Sequence, residues 1–208
     1  MNTGLVAPRT YTQRDRADTA AATKLRIRES AIELYREHGV SGTTVHAIAQ
    51  RADVARGTVL NHFGSVDGLL EDVLDTVVDE LAYPDERVLD GVATQQARIR
   101  GYVDAMFRFY DRSAAWWFVF APDAELPAIK ARERDYDEVV ARLYAATFGS
   151  MATDRMVAAA TRAYVNYAPL NDLRAAGLSL DEAIEVVADT LIALVERRLT
   201  EASMPIDE

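Results

Sequence analysis

Residues 51–65 read "RADVARGTVLNHFGS", and the fold turns on how this stretch is read. Ala52-Asp53-Val54 interrupts a helical apolar pattern, and a short stretch rich in polar and basic groups resumes it at once. Two short helices joined by a tight turn, with Arg56, Asn61 and His62 clustered on the second, form a helix-turn-helix pattern. Under this reading Thr58, Val59 and Phe63 lean towards a core while Arg56, Asn61 and His62 face outward. The outward set suits a duplex. A major groove roughly 12 Å wide admits one helix, and the side chains near that helix's N-terminus reach base edges. Arginine bonds guanine bidentately, asparagine pairs with adenine, and histidine donates to a phosphate or a base. Gly57 lets the backbone come close. Thr43 and Thr44, at the start of the preceding helix, offer hydroxyls and free N–H groups to a phosphate. The candidate DNA-binding set is therefore Thr43, Thr44, Val45, Ala55, Arg56, Gly57, Thr58, Asn61 and His62. The plainer reading of Arg56, Asn61 and His62 is a solvated helix face.

Upstream of this stretch, Leu25, Ala31, Ile32, Leu34 and Tyr35 repeat at helical spacing, and Gly39 stops them as a glycine just past a helix end does. Ser41, Thr43 and Thr44 offer N-caps for a short helix with Val45, Ile48 and Ala49 inward. Ser65 caps a fourth helix, closed by Pro84, whose apolar set runs from Val66 through Leu69, Leu70, Val73, Leu74, Val77 and Val78 to Leu81. Beyond Pro84 every segment keeps a helical period: 94–111, a separate aromatic run "SAAWWFVFAP" ended by Pro122, 127–148, an Ala-rich 153–175, and a last helix opened by the capping box Ser179…Glu182. No segment alternates as a strand does. The expectation is an all-α chain of about nine helices. It divides into a flexible arm (1–22), a helix-turn-helix domain (23–65) and a helical body (66–208). Within the arm, Arg9, Arg14 and Arg16 are candidates for groove contact, against a plain solvated tail.

Charge supports the division. The 208 residues carry a formal net charge of −10, yet residues 1–63 hold nine Lys/Arg against six Asp/Glu, and the remainder 14 against 27. A basic head on an acidic body is expected where only the head meets phosphate. With no cysteine in the chain, disulfides, thiolate zinc sites and a cysteine nucleophile are excluded. All three histidines (His38, His46, His62) lie in the head, so the body lacks the groups for a transition-metal site or a histidine-dependent triad. No metal, cofactor or enzymatic activity is expected. No apolar run reaches the roughly 18 residues of a membrane span, nor does the N-terminus read as a signal peptide, so a cytoplasmic protein is expected.

The stretch "KLRIRESAIELYREHGVSGTTVHAIAQRADVARGTVLNHFGSVDGLLEDVL" resembles the N-terminal domain of TetR-type transcriptional regulators. The matching features, in order, are Ala31…Leu34-Tyr35…Gly39, Thr43-Thr44-Val45…Ile48-Ala49, Val54…Gly57-Thr58, His62-Phe63 and Ser65…Leu69-Leu70. The resemblance implies a homodimer whose first three helices bind a palindromic operator. The fourth helix would join them to a ligand-binding body, and the last two long helices would make a four-helix bundle with the partner subunit. It further implies a repressor that leaves double-stranded DNA when a small effector binds. Four positions depart from the family pattern. Leu60 stands where a tyrosine usually contacts the backbone, Val66 where a lysine usually grips phosphate, Ala55 where serine is frequent, and Asp53 where glycine is frequent. Each lost phosphate contact removes roughly 0.9 from the salt slope, so weaker and less salt-dependent binding is expected.

In the body, aromatic side chains concentrate in 102–148 and 164–167. Core packing accounts for any one of them. Together, Met106, Tyr110, Trp117, Phe120, Tyr136, Val140 and Tyr164 suggest a pocket for a partly aromatic or apolar effector. Met156, Ala160 and Ala163, with the stripe Ile184, Val187, Leu191, Leu194 and Val195, suggest a dimer face; intrachain core is the competing reading. The leading expectation is thus a dimeric, ligand-responsive DNA-binding repressor. The alternative keeps the fold but loses or weakens DNA binding in favour of a protein partner at the apolar Leu60 and Val66. An enzyme with an aromatic pocket is a third reading, and no activated nucleophile or acid–base pair supports it.

Overall fold

The computed structural model describes residues 9–203, with backbone alone for 9–13 and 15. The described residues form nine α-helices and no strand: α1 (Arg9–His38), α2 (Val45–Arg51), α3 (Arg56–Phe63), α4 (Val66–Leu81), α5 (Gln95–Phe120), α6 (Pro127–Phe148), α7 (Arg155–Tyr164), α8 (Tyr167–Ala175) and α9 (Leu180–Ser203). Short 3-10 turns lie at Glu86–Leu89, Ala121–Asp123 and Gly149–Thr153. None of these helices is long and apolar enough to cross a membrane.

The chain divides into two compact units. One takes the described chain up to Val77 together with Val119–Ile129; the other takes Val78–Phe118 and the described chain from Lys130 onward. Position 65/66, the expected boundary, falls inside the first unit. Leu69, Leu70, Val73, Leu74 and Val77 of α4 are buried, and Asp72 of α4 takes ion pairs from Lys24 (2.6 Å) and Arg28 (2.5 Å) of α1. The expected arm also requires correction, since α1 already begins at Arg9; its first eight residues lie outside those described. Arg14, Arg16 and the Ala-rich 20–22 continue the helix because alanine and arginine are strong helix formers, a signal that the missing apolar period had masked.

Within the first unit α1 buries Ile27, Ala31, Leu34 and Tyr35, α2 buries Val45, Ile48 and Ala49, and α3 buries Val59. Burial of these side chains is worth about 1.5–3 kcal/mol each for the larger ones. Tyr35 is desolvated enough that its phenol is pushed up to about 12. The caps follow the sequence. The Ala47 amide donates to Thr44 Oγ1 (3.1 Å) at the start of α2, and the Gly68 amide donates to Ser65 Oγ (2.9 Å) at the start of α4. Gly39 adopts φ +73°, the left-handed region in which a side chain is strained. Asp53 also lies there, at φ +51°, where the family pattern favours glycine.

The second unit has a core of Ile99, Tyr102, Val103, Met106, Phe107, Leu143, Phe148, Val157, Leu170, Ile184, Val187 and Leu191. The segment expected as a helix plus a separate aromatic run is one helix, α5, because no residue in 112–120 breaks it and Pro122 falls in the following 3-10 turn. Conversely, the single Ala-rich segment 153–175 is two helices. Val165 leaves the helical region (φ −105°, ψ 74°), and Asn166 N-caps α8 through the Ala168 amide (2.9 Å). Asp154 caps α7 by accepting from the Met156 and Val157 amides (2.8 and 3.1 Å) and pairs with Arg198 of α9 (2.9 Å). The capping box forms reciprocally: Glu182 Oε2 accepts from the Ser179 amide (2.7 Å) and Ser179 Oγ from the Glu182 amide (3.2 Å).

One buried hydroxyl, Thr161 Oγ1, has no hydrogen-bond partner among the described residues. An unmatched buried polar group costs about 1–3 kcal/mol. Thr161→Val, which keeps the shape and removes the hydroxyl, is expected to raise stability by about 1 kcal/mol. Urea unfolding monitored by circular dichroism measures it, and a loss of stability would show that the hydroxyl is matched in solution.

Candidate nucleic-acid interface

The α2–α3 pair carries the candidate interface. Arg26 Nε of α1 donates to the Ala52 carbonyl (2.8 Å), which pins the turn between the two helices. Arg51, at the end of α2, makes a bidentate pair with Glu37 of α1 (2.7 and 2.9 Å). With the turn held and Val59 fully buried, α3 can present only its opposite face. Arg56, Gly57 and Asn61 are exposed there, as is Ala55, while Thr58, Leu60 and His62 are half-buried. Arg56 has no ion pair among the described residues. The N-cap of α3 is Ala55, whose side chain offers no hydrogen bond. The first turn of α3 thus has no side-chain cap, although the Thr58 amide donates to the Ala55 carbonyl (2.9 Å), and the helix dipole favours an anion there. No atom lies within 4 Å of where a Cβ at Gly57 would stand. Its open side is outward, so its smallness serves approach from outside rather than packing within the chain.

Two of the expected contacts need correction. Thr43 is turned inward: its hydroxyl donates to the carbonyls of Gly39 (2.8 Å) and Leu34 (3.2 Å), so it holds the α1–α2 turn. The Val45 side chain is buried in the core, which leaves its position on α2 but not its side chain at the surface. Thr44 is exposed and its oxygen caps α2, which leaves the hydroxyl hydrogen available to a phosphate. Of the departures from the family pattern, Val66 is 49% exposed, an apolar side chain where a phosphate-gripping cation would serve.

Several residues that shape this unit gave no sequence signal. Lys24 Nζ lies 5.2 Å from the centroid of the Phe63 ring while pairing with Asp72, so one α1 cation touches α3 and α4. Asp123, far along the chain, accepts from the Val40 amide (3.0 Å), the Ser41 amide (3.1 Å) and the Ser41 hydroxyl. A pair separated by more than 80 residues has no local periodicity to betray it.

In the second unit the expected effector residues separate. Met106 is buried in the core, with Tyr110, Tyr136 and Val140 half-buried against it. Tyr136 stacks on Phe109 (5.3 Å between centroids), and Tyr83 meets both rings edge-on. Tyr136 Oη donates to Tyr110 Oη (3.2 Å), and Tyr110 Oη lies 3.5 Å from the Val165 carbonyl, at the α7–α8 break. Burial raises both phenols above their ordinary range, so they remain neutral donors. Trp117 and Tyr164 do not join this group; they are 60% and 47% exposed. Trp117 is two turns beyond Tyr110 on the same helical face, but the buried aromatic core ends before it. Phe120 belongs to the other unit.

The expected dimer residues also separate. Ile184, Val187, Leu191 and Val195 are buried in their own chain's core, so they are already covered. Met156 and Ala163 of α7 are exposed, and Ala160 and Leu194 half-buried. Exposed apolar side chains of α9 stand instead at Val186 and Leu199.

Residues 27–73 match the family described as bacterial regulatory proteins, tetR family. The HTH-type transcriptional regulator BetI of Paraburkholderia phymatum is 38% identical over 93 residues, 44% of this chain and 43% of that protein. The BetI of Burkholderia mallei is 32% identical over 103 residues, 47% and 53%. The chain therefore spans about half the length of the curated relatives it matches. Among solved structures, a TetR family member from Streptomyces coelicolor A3 superposes with a TM-score of 0.55 at 22% identity, over 80% of this chain and 96% of that one. A TetR-like transcriptional regulator from Rhodococcus sp. RHA1 gives 0.56 at 17%, over 86% and 97%. At these identities the likeness to the solved structures is one of fold.

Proposed function

We propose that the chain, whose residues 27–73 match the tetR family of bacterial regulatory proteins, is a dimeric repressor which reads a palindromic operator through α3 and releases it when a small effector binds the body. The observation that carries the DNA-binding reading is the two-faced α3. Val59 is sealed in the core, and Arg56, Gly57 and Asn61 stand exposed around an N-terminus with no side-chain cap. Backbone N–H groups at that end bind phosphate and set the register. Arg56 and Asn61 then reach base edges in the major groove. Two copies are needed to read two half-sites roughly 34–36 Å apart. The exposed apolar side chains Met156 and Ala163 of α7 and Val186 and Leu199 of α9 are among those available to a partner subunit.

The effector reading rests on the neutral hydroxyls of Tyr110 and Tyr136 among buried rings. They suit a compact, partly aromatic molecule with a hydrogen-bonding group. Since the rings pack on one another, such a molecule enters by taking over ring–ring contacts. A coupling of about 1–3 kcal/mol between effector and operator would change DNA affinity about 5–150-fold.

The test is binding of duplexes from upstream of the protein's own gene, followed by fluorescence anisotropy at two salt concentrations. Arg56→Ala is expected to lower discrimination between the preferred duplex and a scrambled one by about 1–3 kcal/mol. Equal weakening on both duplexes would assign Arg56 to phosphate only. A wild-type protein that binds neither duplex, or that binds as a monomer in sedimentation velocity, would overturn the reading.

A further inference from the structure

We propose that Asp123, outside the helix-turn-helix sequence, is a positioning residue for DNA binding: its carboxylate holds the α1–α2 turn, and through that turn sets the end of α2 that faces the duplex. The inference rests on the DNA-binding reading given above. Asp123 closes the 3-10 turn after α5, and its own carbonyl accepts from the Leu126 amide (2.9 Å). Its side chain therefore leaves a fixed backbone. One carboxylate oxygen accepts the amides of Val40 (3.0 Å) and Ser41 (3.1 Å), and the other accepts the Ser41 hydroxyl. Three donors of one short turn thus converge on one side chain. Charged acceptors bind such donors about twice as strongly as neutral ones.

The turn brings its backbone to the carboxylate. A Cβ at Gly39 would stand 3.6 Å from Asp123 Oδ2 at φ +73°, so Gly39 supplies the left-handed bend that aims the next two amides at the acid. From there the path to α2 is short. The Thr43 amide donates to the Val40 carbonyl (3.1 Å), and the Thr43 hydroxyl donates back to the Gly39 carbonyl (2.8 Å). Thr44 then caps α2. The exposed Thr44 hydroxyl is set by a chain of contacts that begins at Asp123. The sequence around 119–129 carries no DNA-binding signature, yet these residues fold into the same compact unit as α1–α3.

A carboxylate in a DNA-binding unit also repels phosphate. That gives the two roles opposite signs. If Asp123 acted only as a negative charge, neutralising it would tighten binding. If it positions the turn, neutralising it weakens binding despite the lost repulsion. The experiment compares wild type, Asp123→Asn, Asp123→Ala and Ser41→Ala as full chains. Duplex affinity is read by anisotropy, amide exchange at Val40 and Ser41 by NMR, and folding by circular dichroism. Asp123→Ala is expected to lose about tenfold in affinity, a 1.4 kcal/mol effect, with faster exchange at both amides. Asp123→Asn retains a carbonyl oxygen for the amides and should fall between wild type and Asp123→Ala. Ser41→Ala, which leaves both amide donors in place, should weaken binding in the same direction but less. If Asp123→Ala does not fold, Asp123→Asn and Ser41→Ala carry the test. Variants that fold and bind as tightly as a DNA-binding wild type, or more tightly, overturn the inference while leaving the DNA-binding reading intact. A wild type that binds no duplex removes both.

Discussion

Phe107→Ala is expected to destabilise the second unit by about 3–5 kcal/mol, the largest effect of any change considered for this protein. Phe107 has no exposed surface and lies in the cluster that joins α5 to Leu143 and Phe148 of α6, Val157 of α7 and Leu191 of α9. Truncation removes six ring carbons and leaves a cavity bounded by helices that cannot all close on it. The transfer and cavity terms therefore add. Both tryptophans of the chain, Trp116 and Trp117, belong to this unit, so indole fluorescence reports its unfolding without contribution from the first. Urea titration followed by fluorescence should show the fall. A loss under about 1 kcal/mol, below the usual range for such a truncation, would mean that the core relaxes around the void, and the dense packing described for α5 would be wrong.

How far the sequence carried the fold depends on the range of each interaction. Capping at Thr44, Ser65 and Ser179 was legible because donor and acceptor sit within three residues. The inward set of α1 to α4 was legible because one buried face imposes one period. The start of α1 at Arg9 was not, since an exposed polar helix segment has no apolar period to reveal it. Nor was the continuity of α5, where a cluster of aromatics looked like a break in pattern. At the site, Arg56 and Asn61 followed from position on α3. The inward turn of Thr43 did not, because a threonine at a helix start serves equally as an outward hydroxyl or as a staple on the preceding carbonyls. The dimer stripe shows the same limit from the apolar side. Ile184, Val187, Leu191 and Val195 have the period of a buried face, and a period cannot say whether the same chain or a second copy does the burying. Asp72 and Asp123, which hold the DNA-binding unit from outside its first three helices, depend on contacts 44 and 82 residues apart.

Asp72→Asn is expected to cost the first unit about 1.5–3 kcal/mol near neutral pH, the range for a hydrogen bond to a charged group, and the cost should shrink in acid. The Asp72 carboxylate is mostly buried and meets Lys24 at 2.6 Å and Arg28 at 2.5 Å. An amide of the same shape keeps the packing but leaves two cations of α1 without a counter-charge. Lys24 also sits over Phe63, so its loosening is felt at the end of α3. Burial alone would raise the carboxyl's pKa, but the hydrogen bonds from Arg28 and Lys24 outweigh it and hold the group below its ordinary range. The sign of the pH dependence follows. A carboxyl whose pKa is depressed in the folded state contributes fully above its unfolded value, about 3.9, and loses the contribution as pH falls through the folded one. Asparagine does not titrate. Wild type should therefore exceed Asp72→Asn in stability at pH 7, with the gap narrowing once the pH drops below about 4. Urea unfolding followed by far-ultraviolet circular dichroism at several values between pH 7 and 3 measures the gap. A gap that stays constant, or widens towards acid, would show that packing of the side chain rather than its charge joins α1 to α4.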